Sequence, residues 1–90
     1  MKIPKTIKIH GLDWKISIEP PEKFRSNLDG ECIYDKLTIR LRGGMALDYT
    51  WQVLWHEIFH AVNSQLVEVD VEWFGLTVNA ILKENKWLKN

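Results

Sequence analysis

Hydrophobic and polar positions recur along this chain with two periods, and the change of period divides it in two. In the first half they alternate. Thr6-Ile7-Lys8-Ile9-His10 and Trp14-Lys15-Ile16-Ser17-Ile18 place an apolar side chain at every second position, as half-buried strands do. Gly11 marks a turn between them, so the pair predicts a β-hairpin. Pro20-Pro21 ends the second run, because proline has no N–H to give to a ladder. Residues 22–30 are polar and loop-like: Asn27, Asp29 and Gly30 supply turn chemistry, while Phe24 and Leu28 have the spacing of a short helical turn. Glu31-Cys32-Ile33-Tyr34 and Leu37-Thr38-Ile39-Arg40-Leu41, joined through Asp35-Lys36, predict a second hairpin, and Gly43-Gly44 closes the strand region.

In the second half the period lengthens to that of a helix. Residues 47–66 form an apolar-periodic run without Pro or Gly; Asp48 or Thr50 can cap it, and it extends to about Gln65. A second run covers residues 70–87, with Asp70 as N-cap, Glu72 in the first turn, and Trp73, Leu76, Val78, Ile81 and Leu82 as apolar contacts. The order β-β-β-β-α-α predicts an α+β fold, an antiparallel-rich sheet of about four strands packed by two helices. Residues 1–90 read as one small domain.

Composition narrows the functions open to such a domain. Formal net charge is zero and there is no long basic run, so nucleic acid is not the expected partner. Lys83, Lys86 and Lys89 read as cations favoured at a helix C-terminus. No window holds 18 uncharged apolar residues, and the first five residues lack an apolar leader, so the expectation is a soluble cytoplasmic protein without a membrane span. Cys32 is alone, which excludes an intramolecular disulfide and fits a reducing compartment; it reads as a small hydrophobe or incidental thiol rather than a nucleophile. A chain this short buries only about 60–65% of its unfolded surface. Five Trp, three Phe and two Tyr offset that with large apolar area per residue.

One stretch carries chemistry. His56-Glu57-Ile58-Phe59-His60 is an H-E-x-x-H motif inside the first helical run. Residues four apart share a helix face, so the two imidazoles can hold one Zn²⁺, and Glu57, one step round, can serve as general base. A third ligand is needed. A histidine six residues after His60, with glycine at position 63, would make the metzincin arrangement, but Leu66 and Asn63 stand there. The acids downstream are Glu68, Asp70 and Glu72. Residues 63–71 are poor in helix formers, so the chain can reverse there and bring an acid of the second helix back to the histidines. On that geometry Glu72 is favoured over a merely solvated acid.

His56-Glu57-Ile58-Phe59-His60-Ala61-Val62, followed by Val71-Glu72-Trp73-Phe74-Gly75-Leu76-Thr77-Val78, resembles the small gluzincin-type metallopeptidases, in particular the phage- and mobile-element-borne ImmA/IrrE type. Their motifs are H-E-[IL]-x-H-A and, on a later helix, E-x-x-A-x-x-[FL]. Glu72, Gly75 and Val78 take the second motif's positions, with Gly for Ala and Val for Phe or Leu. Gly30-Glu31-Cys32-Ile33-Tyr34-Asp35 and Leu37-Thr38-Ile39-Arg40 also resemble the family's hairpin before the active helix. The resemblance implies a zincin-like fold and a zinc metallopeptidase. Its ligands would be His56, His60 and Glu72, with Glu68 and Asp70 outside the site, and Glu57 would be the base. A peptide or protein substrate, such as a phage repressor, would add as a strand to an edge formed by Glu31, Cys32, Ile33 and Tyr34. The extra donor that larger zincins direct at the oxyanion has no counterpart by motif; Tyr34, Tyr49 and His10 have suitable chemistry. The same residues also fit a second reading, a zinc-stabilised interaction or regulatory module of a phage or mobile element, without turnover.

Overall fold

The structure, a computed structural model, describes residues 2–25 and 27–85. Four strands are followed by two helices: β1 (Thr6–Ile9), β2 (Leu12–Glu19), β3 (Gly30–Ile33), β4 (Thr38–Arg42), α1 (Leu47–Val62) and α2 (Glu68–Glu84). Single 3-10 turns, Pro21–Lys23 and Tyr34–Lys36, precede β3 and β4. It is a small α+β arrangement with one sheet.

The sheet runs β1-β2-β4-β3. Both expected hairpins form, and each is antiparallel, with Ile9 opposite Leu12 and Ile33 opposite Thr38. His10 and Gly11 link the first pair with φ of 51° and 80°, the two left-handed residues that a tight hairpin turn requires. Between the hairpins, however, β2 and β4 are parallel, with Lys15 opposite Thr38 and Glu19 opposite Arg42. The sheet is therefore mixed, a correction to the antiparallel-rich expectation. The segment between β2 and β3 passes the end of β4, where the Arg42 N–H donates to the Asp29 carbonyl, and β3 lies at the edge. Arg40 and Arg42 hold that segment through the carbonyls of Lys23 and Arg25, and the Arg40 guanidinium lies 4.5 Å from the centre of the Phe24 ring. The second hairpin is not closed by a two-residue link: Tyr34–Lys36 makes a 3-10 turn, and Leu37 follows with φ of 45°, a conformation that costs a non-glycine residue about 1 kcal/mol or more.

The core lies between one sheet face and α1. Ile9, Trp14, Ile16, Ile39 and Leu41 meet Trp51, Val53, Leu54 and Ile58 there, and Ile39, Leu41 and Leu54 are fully buried. α1 starts one residue before Asp48, and neither expected cap acts as one. Ala46 is the N-cap, and Thr50 Oγ1 donates back to the Ala46 carbonyl at 2.9 Å.

α2 packs on α1 rather than forming a second cover for the sheet. Its buried residues are Val71, Gly75 and Asn79, a narrow i, i+4, i+8 stripe. The expected contacts Trp73, Leu76 and Ile81 are exposed instead, Trp73 by 68%. The start also differs: Val67 is the N-cap and Asp70 lies in the first turn. Trp87, the expected end of this helix, and Lys86 and Lys89 fall outside the described residues.

Candidate metal centre

The H-E-x-x-H residues span little more than one turn of α1, yet they face different surroundings. His56 and His60 project from the partly exposed side, with ring centres 4.9 Å apart. Glu57 lies under the start of β3, and only 7% of it is exposed. Room for it comes from Gly30. A Cβ at that position would lie 2.7 Å from Val53 Cγ1 and 3.2 Å from Glu57 Cγ, so any larger residue would push β3 off the helix.

The chain then turns back, as the lack of helix formers after His60 requires. The Asn63 N–H caps α1 on the Phe59 carbonyl, Asn63 Oδ1 accepts from the Gln65 N–H at 2.9 Å, and α2 opens at Glu68. Gly75 sets how closely the helices approach, since a Cβ there would stand 3.2 Å from the His56 backbone N. Two acids one turn apart on α2 thereby meet two imidazoles one turn apart on α1.

The carboxylates divide between the ring nitrogens. Glu68 lies on the Nε2 side of both rings, with Oε1 2.5 Å from His60 Nε2 and Oε2 3.3 Å from His56 Nε2. Glu72 Oε2 lies 2.8 Å from His56 Nδ1, across the ring. His56, His60 and Glu68 form the group whose donor atoms all fall within 4.8 Å of one another and can hold a metal ion. Donors about 2.1 Å from a tetrahedral ion lie roughly 3.4 Å apart. The His56–Glu68 spacing matches this, while the His60–Glu68 pair is closed to a hydrogen bond. The expectation had Glu72 in third place and Glu68 outside; the structure brings both acids to the histidines, and Glu68 is the one that shares the compact donor group with them. In the sequence, the spacing of the motif that the chain resembles can also be read from Glu68, with Val71 and Phe74 at its marked positions.

Electrostatics follow from depth. Burial pushes the Glu57 carboxyl up to about 7; His56 pulls against that, and the charges of Glu68 and Glu31 add to it. Partial burial also works upward on Glu68, but the hydrogen bond from His60 and the charges of both histidines outweigh it and hold this carboxyl below its ordinary value. Burial, with Cys32, Glu57 and Glu68 nearby, raises the Tyr34 phenol to about 12, so it remains a donor at neutral pH.

Two clefts open beside Glu57. One, of about 240 Å³, is bordered by Asp29, Gly30, Tyr49, Gln52 and Glu72; the other, of about 370 Å³, by Gly30, Cys32, Tyr34, His60 and Glu68. β3 is an edge strand, and of the four residues expected to receive a substrate, Cys32 and Tyr34 reach the second cleft. Glu31 is instead bound to the Arg40 guanidinium, Ile33 is half-buried, and Tyr34 begins the 3-10 turn after the strand. Tyr34 Oη donates to the His60 carbonyl at 3.2 Å. Tyr49 donates to Asp29 on the opposite side of the site, and His10 Nε2 lies 3.2 Å from the Val62 carbonyl at the far end of α1.

Compared with known proteins, the chain matches no family model, no curated protein and no solved structure.

Proposed function

We propose that this chain is a zinc-dependent peptidase on a zincin-like fold, with His56, His60 and Glu68 as metal ligands and Glu57 as general base. The observation that carries the reading is the convergence of three donors from two helices on one point, with a buried carboxylate next to them on the same helix. Two imidazoles and one carboxylate are a donor set suited to Zn²⁺, and three protein ligands leave a position open, as catalytic zinc sites do. When bound, the ion supplies a Lewis acid and a water of lowered pKa.

The remaining chemistry belongs to the chain. Glu57 accepts a proton on its carboxylate and returns it to the leaving amine, and a carboxyl held near neutrality suits both transfers. Gly30 keeps the space in which that carboxylate lies. Tyr34, which remains protonated at the border of the second cleft, is a phenolic donor for a developing negative charge once its O–H leaves the His60 carbonyl. The free edge of β3 offers backbone hydrogen bonds to an extended peptide.

The test is zinc analysis of the purified protein followed by cleavage assays on mixed peptide libraries. About one zinc per chain, with turnover that a chelator removes and zinc restores, supports the proposal. Zinc without turnover across broad libraries would leave a metal-stabilised module, and no zinc would end the proposal.

A further inference from the structure

We infer that Glu72 is a positioning residue for His56: its carboxylate takes the N–H of Nδ1 and thereby presents the Nε2 lone pair to the metal. The inference rests on the metal site proposed above and adds a residue to it. A neutral imidazole carries one N–H, and whatever accepts that hydrogen decides which nitrogen is left to bind. Glu72 Oε2 lies 2.8 Å from His56 Nδ1, an ordinary charge-assisted hydrogen-bond length, and a carboxylate can only accept. With an ion in place of the Glu68 contact at Nε2, the single N–H of a neutral His56 goes to Nδ1, where Glu72 stands ready to accept it, and Nε2 faces Glu68 and the ring of His60.

The backbone explains why Glu72 and not a neighbour has this place. Glu68 and Glu72 are one helical turn apart and so are His56 and His60, so α2, doubling back, sets Glu68 against His60 and Glu72 against His56. One turn further on, the missing Cβ of Gly75 lets α2 lie directly on the His56 backbone. Glu72 is thus held beside the ring it orients. It does not share the Nε2 side with Glu68, so it acts through the imidazole rather than on the ion. Such outer carboxylates typically contribute about 10–100-fold in metal affinity.

The experiment compares wild type with Glu72→Ala, Glu72→Gln and Glu68→Ala. Zinc affinity is read by competition with a chromophoric chelator, and coordination by the visible absorption of the cobalt-substituted proteins. Glu72→Ala should bind zinc about 10–100-fold more weakly with an unchanged cobalt spectrum. Glu72→Gln should recover most of that loss, because an amide oxygen still accepts the Nδ1 hydrogen. Glu68→Ala should lose tight binding and alter the spectrum. Circular dichroism and melting of the metal-free variants, expected to match wild type, separate positioning from folding. Wild-type affinity in Glu72→Ala would overturn the inference. So would a cobalt spectrum altered in both Glu72 variants as in Glu68→Ala, which would make Glu72 a ligand. The proposed site itself fails on a different result, namely wild type that binds neither zinc nor cobalt, or His56→Ala and His60→Ala that bind as wild type does.

Discussion

Glu57 is the buried acid among the described residues, and the role proposed for it is separable from metal binding. Glu57→Gln keeps the shape and removes both the proton acceptor and the penalty of holding a buried charge. The variant should retain zinc and stability, while peptide cleavage falls by about 10²–10⁴-fold. Equal turnover in the two proteins would remove Glu57 from the mechanism. Cys32 gives a second residue-level prediction. Burial, with the Glu57 charge behind it, raises this thiol to about 11, and the hydrogen bond with Tyr34 offsets only part of that. A folded pKa above the unfolded one means that the fold favours the protonated form. That stabilisation is complete below about pH 9 and disappears as pH rises through about 11. Native protein should therefore react with iodoacetamide at pH 8 far more slowly than urea-unfolded protein. Equal rates would contradict the assignment of Cys32 as an inert thiol.

Each strand and helix, taken singly, was legible in the chain, because alternation and helical periodicity are local properties. The H-E-x-x-H residues were legible for the same reason: their spacing alone puts His56 and His60 on one face. How elements meet was less so. Nothing in the alternation of Trp14-Lys15-Ile16 or Thr38-Ile39-Arg40 tells which strand lies beside which, and the parallel pairing of β2 with β4 joins strands far apart in the chain, with Arg40 and Arg42 binding carbonyls of the segment between them. Which acid stands nearest both histidines was not legible, since Glu68 and Glu72 share a face of α2 and only the exact reversal after Val62 brings Glu68 into the compact group with His56 and His60. Trp73 was expected in contact because it is apolar, yet α2 buries a stripe centred on Gly75. That glycine is the test at this scale. Gly75→Ala gains about 1 kcal/mol of helix propensity, but its Cβ would meet the His56 backbone, which cannot move aside as a side chain can. Helicity should be retained while zinc affinity drops by about tenfold or more. A variant that is more stable and binds as well would show that the close approach of the helices is dispensable.

For the molecule as a whole, a sheet covered on one face by α1 is a small core, and an ion shared by α1 and α2 would tie the outer helix to it. No helix among the described residues is long and apolar enough to cross a membrane. Zinc at about a hundred times its Kd should add ~2.7 kcal/mol to stability, which for a domain of this size raises Tm by roughly 10–20 °C. A chelator should reverse the shift. The gain should fade on acidification below about pH 6, as protons compete for the two imidazoles. Melting that ignores zinc and chelator alike would contradict this. The most direct measurement is a crystal structure grown with zinc, with anomalous maps recorded on both sides of the zinc absorption edge. The account predicts one anomalous peak between α1 and α2, about 2.0–2.2 Å from His56 Nε2, His60 Nε2 and a carboxylate oxygen of Glu68, with Glu72 on Nδ1 of His56. A map without that peak, or an ion bound by Glu72 with Glu68 turned to solvent, would contradict it.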